Sequence, residues 1–149
     1  EIIAHSLAQI NRFTGHAVRP YSVAEHSVLV CDIVAGMGLG PAAQRAALMH
    51  DAHECLCGDV ASPIKWALGT AWMAFENPLA LLIRKHYGMH ATHTAYRDAI
   101  KRADLQLYEA KANGRNHIRH MRIRRRNRRD PHEIKKFLHK AGLVGVQII

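Results

Sequence analysis

Three times the chain sets a helix-capping residue directly before a proline, at Ser62-Pro63, Asn77-Pro78 and Asp130-Pro131. Ser, Asn and Asp side chains accept the orphan N–H groups of a first helical turn. Proline fits the next position because its missing N–H is not needed there. Each pair therefore predicts a helix start. Ser22 with Glu25 three residues on adds a start of the capping-box type, and Pro41 adds another. Gly36 and Gly38, Gly58, Gly88 and Gly114 stand where such helices would stop. The expected helices cover residues 2–10, Ser22 to the Gly36/Gly38 pair, Pro41 to Gly58, 62–68, Pro78 to Gly88, 94–112 and a last one from Pro131, whose Ile134, Phe137 and Leu138 share an apolar face. No segment alternates apolar and polar residues between turn signals, so no sheet is expected. The pattern predicts an all-α fold, one compact bundle of about seven helices spanning residues 1–149.

The chain is long enough to bury a core, and with 48% hydrophobic residues it is not of disordered composition. No apolar run approaches the roughly 20 residues that span a bilayer, so no membrane association is expected. Three cysteines, Cys31, Cys55 and Cys57, give no disulfide framework, and a reducing cytoplasm is the expected location.

A net charge of +9 suggests a nucleic-acid partner until it is located. The run "RHMRIRRRNRR" opens on Arg119, closes on Arg129 and holds seven arginines; without it the balance is +2. Such a block can be a solvated connection (residues 115–129) to the last helix, a nucleic-acid strip, or a lure for polyanionic nucleotides. No aromatic residue interrupts it to stack on bases, which favours a connection or subunit-contact surface over nucleic-acid binding.

The chemistry-bearing residues are scattered. Asp104 shares a helix face with Ile100, Leu107 and Tyr108, an odd place for a lone carboxylate. It is either a boundary residue paired with Lys101 or Arg102, or a metal ligand inside the bundle. His26 lies on the stripe of Val30, Ile33 and Val34, as a core histidine or as a ligand; Glu25 can close the capping box or orient a histidine. The stretch "LMHDAHECLCGD" places His50 and Asp51 about 100° apart on a helix, able to share an ion only at the inner edge of a tight bundle. Glu54 lies one turn on, above the same face. Cys55 and Cys57 have neither zinc-knuckle nor thioredoxin spacing and read, with His53, as buried filling.

The order of these residues, a lone His, then His-Asp, then a lone Asp on a much later helix, resembles the HD-domain metal-dependent phosphohydrolases. "NRF" at 11–13, "SVAEHS" at 22–27, "HDAHECLCGDVASPIK" at 50–65 and "RADLQ" at 102–106 are similar to the bacterial 5′-deoxynucleotidases and to phage-encoded dATP and other dNTP triphosphohydrolases. The resemblance covers about residues 10–108. It implies an all-α bundle in which His26, His50, Asp51 and Asp104 hold one divalent ion. It further implies that Glu54 works with the attacking water, Asp59 senses the sugar, and Arg12 contacts phosphate. Phe13 stands where the family often has Trp beside the nucleoside. Ser62 and Lys65 border the site, with Pro63 near the base. The chain departs from the pattern at Phe13 and in a slightly short loop from Phe13 to His26.

Two imidazoles and two carboxylates suit Mn²⁺, Co²⁺, Fe²⁺ or Zn²⁺ better than Mg²⁺, which is still admissible. The expected reaction is attack of water on phosphorus of a deoxynucleotide, releasing phosphate or triphosphate, with Arg12 and Lys65 neutralising phosphate charge. The family resemblance also implies a homo-oligomer, a dimer or a hexamer. The rival expectation is a nucleic-acid-binding module using the arginine run, with a vestigial metal site.

Overall fold

The computed structural model describes residues 2–17 and 19–112. In chain order they form α1 (Ile2–Gln9), a short turn at Arg12–Gly15, α2 (Val23–Gly36), α3 (Pro41–Leu48), α4 (Glu54–Cys57), α5 (Ser62–Leu68), α6 (Thr70–His86), α7 (His90–Ala95) and α8 (Arg97–Ala112). The fold is all-α, as expected; the only β feature among the described residues is one isolated bridge between Asn11 and Ser22. The arginine run and the helix expected from Pro131 lie outside the described residues. No described helix is long and apolar enough to cross a membrane.

α2 is the centre. Its Val30, Cys31, Ile33 and Val34 pack against Ala43, Ala46, Ala47 and Leu48 of α3 and against Ile100 and Ala103 of α8. The pairing is of stiff β-branched side chains with small ones, which lets α3 and α8 approach α2 closely. A second cluster joins Met49 and Ala52 to Ile83 of α6 and Met89, with Ile3 and Tyr87 at its edge. His50 and Asp51 therefore sit on a segment whose neighbours on both sides are anchored in core. Ala46 is 1% exposed. Ala46→Leu should cost about 1–3 kcal/mol through overpacking, lowering Tm by several degrees, while Ala74→Leu on the exposed side of α6 should leave it nearly unchanged.

Four expectations need correction. The segment from Pro41 to Gly58 is not one helix: α3 ends at Leu48 and α4 begins at Glu54. Between them, His50 donates its N–H to Ala47, Ala52 to Met49 and Glu54 to Asp51, each three residues back. Asn77-Pro78 is not a start, because α6 runs unbroken from Thr70 through Pro78. Both Pro78 and Ala74, whose carbonyl loses its donor, are exposed, so water can replace the missing bond. At the start of α2 only half of the capping box forms. Ser22 Oγ accepts from the Glu25 N–H at 3.1 Å, but the Glu25 carboxylate pairs with Arg19. Among the described residues it neither closes the box nor pairs with a histidine. The expected helix over 94–112 also divides, at Tyr96, into α7 and α8.

Candidate metal centre

The break after α3 is what makes a site. In a continuous helix, adjacent His50 and Asp51 would diverge; with the ladder shortened to three-residue bonds, His50 Nε2 and Asp51 Oδ2 lie 3.0 Å apart. His50 is oriented by its other nitrogen: Nδ1 lies 2.7 Å from the Ala47 carbonyl, so Nδ1–H donates there and Nε2 keeps its lone pair. His26, one turn into α2 and 2% exposed, brings its Nε2 to 3.3 Å from His50 Nε2 and 3.4 Å from Asp51 Oδ2. Its Nδ1 faces the Tyr21 hydroxyl at 3.4 Å. One donor atom from each of His26, His50 and Asp51 lies within 4.8 Å of the others. Asp104 on α8 joins through His26, with Oδ1 3.1 Å from Nε2, and its side chain is half-exposed at the edge.

These separations suit a cation. For metal–ligand bonds of about 2.1 Å, neighbouring ligands on an octahedral ion are about 3.0 Å apart. Two imidazole nitrogens face each other with their partner nitrogens already directed at Tyr21 and Ala47, so positive charge between them removes a repulsion. The electrostatics agree. Burial works against charge on His50, yet Asp51, then Asp104, raise its pKa. Burial works against ionisation of Asp51 too, but His50 and His26 hold its carboxyl well below the ordinary range. Asp104 is likewise held low by His26 and His50 against its burial. Such a cluster attracts cations.

Around it stand most of the other expected residues. Arg12 Nη1 donates to Asp51 Oδ2 at 3.0 Å, while Arg12 Nε is buried without a partner among the described residues. Arg12 is brought there by backbone closure of the loop: its N–H donates to the Tyr21 carbonyl, and Val23 N–H donates to Ile10. The next two residues take left-handed conformations, Phe13 at φ 60° and Thr14 at φ 54°. Non-glycine residues there are strained and tend to mark functional turns. The turn aims the Phe13 N–H at Asp59 Oδ2, 3.2 Å away, and stacks the Phe13 ring on Tyr21. Asp59 reaches this position because Gly58 ends α4 at φ +77°.

Glu54 is 3% exposed and its Oε2 has no partner among the described residues. Burial first, then the charges of Asp51 and Asp59, push its carboxyl up to about 9. Lys65 Nζ lies 3.9 Å from Glu54 Oε1 but is bound more closely by Glu76 Oε1, at 2.7 Å. Ser62 and Pro63 stand exposed at the start of the helix that carries Lys65. His53 is buried as expected, with Nε2 3.4 Å from Glu76; Cys55 and Cys57, read as buried, are only half-buried.

Two contributors went unforeseen. Tyr21 braces His26 and Phe13 together, and Glu76 holds Lys65 and His53. Neither has a spacing signal, because α6 and the turn bring them in from elsewhere in the sequence. Tyr21's position directly before the Ser22 cap is the nearest thing to a clue.

No family model matches the chain. It is 38% identical over 109 residues to an uncharacterized protein of Rhodobacter capsulatus, an alignment covering 70% of this chain and 56% of that protein. It is also 38% identical over 112 residues to the uncharacterized protein YfdR of Escherichia coli K12, covering 70% of this chain and 60% of the relative. The chain thus spans less than two thirds of the length of the curated relatives it matches.

Proposed function

We propose that this chain is an HD-type metal-dependent phosphohydrolase acting on deoxynucleotides. The observation that carries the reading is the convergence of His26 Nε2, His50 Nε2 and Asp51 Oδ2 beside a buried Glu54 whose Oε2 has no partner among the described residues. His26, His50, Asp51 and Asp104 would hold one divalent ion of the Mn²⁺, Co²⁺, Fe²⁺ or Zn²⁺ type. Such an ion supplies polarisation of a phosphate oxygen and acidification of a water molecule.

The chain's own residues do the rest. With the charge of Asp51 neutralised, Glu54 loses one of the causes of its raised pKa and can take a proton from the attacking water as general base. Arg12 already sits against Asp51 and has a buried Nε without a partner among the described residues, so its guanidinium can turn to phosphate oxygens in bidentate fashion. Asp59, held by the Phe13 N–H, would accept from a sugar hydroxyl, and the Phe13 ring would offer a surface to the nucleoside. Lys65 reaches a phosphate only by giving up part of its contact with Glu76.

The test is hydrolysis of one dNMP and one dNTP with Mn²⁺ or Co²⁺ added, and again after chelation, with the released product identified. Metal-dependent release of orthophosphate or triphosphate is the expected result. Activity that ignores chelation, or none on either substrate with either metal, overturns the reading.

A further inference from the structure

A histidine that binds an ion through Nε2 carries its proton on Nδ1, and in a buried ring that N–H needs an acceptor. The two histidines of the centre meet this demand differently. His50 uses backbone: its Nδ1 lies 2.7 Å from the carbonyl of Ala47, three residues back in its own segment. His26 is 2% exposed, and the partner that the described residues give its Nδ1 is the Tyr21 hydroxyl, at 3.4 Å. The first contact is fixed by the local chain. The second is long, and it lasts only while a side chain is held in place.

Tyr21 precedes α2, and three contacts hold it. Its carbonyl accepts the Arg12 N–H at 2.8 Å. Its ring lies parallel to that of Phe13, at 7°, with centroids 6.1 Å apart. It meets the His26 ring nearly at right angles, at 85°. The hydroxyl sits at the tip of the phenol ring, so a tilt that the Phe13 stack opposes would carry it out of range of Nδ1. At 3.4 Å there is little range to spare. Phe13 in turn is placed by a left-handed backbone at φ 60°, and its own N–H is bound to Asp59. That is a strained way to place a ring, and the stack on Tyr21 gives the strain a use. The Arg12 guanidinium, which binds Asp51, lies 5.6 Å from the centre of the same Phe13 ring. From Tyr21 through His26, Asp51, Arg12 and Phe13 the contacts return to Tyr21.

We infer that Tyr21 is a positioning residue for His26 as a metal ligand, and that Phe13 acts on the metal centre through it. The aromatic wall and the ion site are then one device, joined before any nucleotide arrives. The inference rests on the metal-centre half of the phosphohydrolase reading and on no property of the substrate.

The experiment is calorimetric Co²⁺ titration of the full chain as wild type, Tyr21→Phe, Phe13→Leu and the double variant. Tyr108→Phe, at an exposed position on α8, is the control and should bind as wild type does. Tyr21→Phe keeps the ring and its stack and removes only the hydroxyl, and a loss of about 10–100-fold in affinity is expected. Phe13→Leu keeps the backbone bond to Asp59 and should lose about three- to tenfold. The double variant should lose no more than Tyr21→Phe alone, because the placement of a hydroxyl that is gone no longer matters. A spectroscopic readout separates positioning from general loosening. In the Zn²⁺-loaded chain the His26 ring N–H should exchange slowly with water in wild type and rapidly in Tyr21→Phe. The His50 ring N–H, held by Ala47, should stay slow in both.

Thermal unfolding of the metal-free chain checks that each variant folds, and Phe13→Met replaces Phe13→Leu if it does not. Wild-type Co²⁺ affinity in Tyr21→Phe or in Phe13→Leu, or losses that multiply in the double variant, overturns the inference and leaves the metal centre standing. A wild-type chain that binds no Co²⁺ overturns both.

Discussion

Asp51→Asn is expected to lower divalent-cation affinity by at least about a hundredfold, beyond the 10–100-fold that outer-shell partners usually cost. The substitution keeps the shape of the side chain and removes its charge, so the loss is electrostatic rather than a cavity effect. One oxygen of Asp51, Oδ2, lies within 3.0 Å of Arg12 and His50 and 3.4 Å of His26. It is the point at which the turn after α3, the loop before α2 and α2 itself meet. Without its charge His50 loses the main cause of its raised pKa, and Arg12 loses its closest partner. Removing one member of a buried ion pair costs about 3–5 kcal/mol in full. Here Asn retains a hydrogen-bond acceptor and Asp59, Glu54 and Asp104 remain near Arg12, so about 1–3 kcal/mol is expected. Calorimetric Co²⁺ titration reads the first effect and thermal unfolding of the metal-free chain reads the second. Asp98→Asn, at an exposed site on α8, is the matched control and should alter neither. Unchanged Co²⁺ affinity in Asp51→Asn would remove His26, His50 and Asp51 as a metal centre.

How much of this was readable in advance divides along physical lines. His26 and Asp104 stood out because a polar group on an apolar helix face must find a partner, and each proves to be the other's partner at 3.1 Å. The all-α class followed from caps and the absence of alternation, which are local. The break between Leu48 and Glu54 was not local. Leu48, Met49 and Ala52 continue an apolar pattern that suits a helix, and the shortened hydrogen bonds are imposed by packing into two different clusters. Pro78 misled for the opposite reason. It is a strong local signal, overridden because it falls on a face where water can satisfy the freed carbonyl. Tyr21 and Glu76 matter only through residues that the fold brings to them, and no spacing in the chain announces either.

Glu54→Gln should separate stability from catalysis, because the same burial that prepares the carboxyl for its role makes it costly to ionise. The metal-free fold holds the Glu54 proton up to about pH 9, whereas an unfolded chain releases it near the ordinary value of 4.5. Between those values the native state binds more protons than the unfolded state, so stability falls as pH rises. The contribution of the protonated form is fully present below about pH 4.5 and is lost as pH climbs through about 9. Glutamine cannot ionise and escapes this loss. Metal-free Glu54→Gln should therefore match wild type near pH 4.5 and exceed it progressively at higher pH. At pH 8 the advantage should be on the order of a few kcal/mol, read as a Tm higher by several degrees. Hydrolysis should move the other way, with kcat in the presence of saturating Mn²⁺ falling about 10²–10⁴-fold when the proton acceptor is gone. Divalent-ion binding should narrow the stability gap, since neutralising Asp51 removes one of the charges that oppose ionisation of Glu54. Unfolding curves at pH 4.5, 6 and 8 with and without Mn²⁺ provide the check. A stability difference independent of pH would mean that Glu54 is ionised in the fold, and a kcat left intact would mean that another group handles the water.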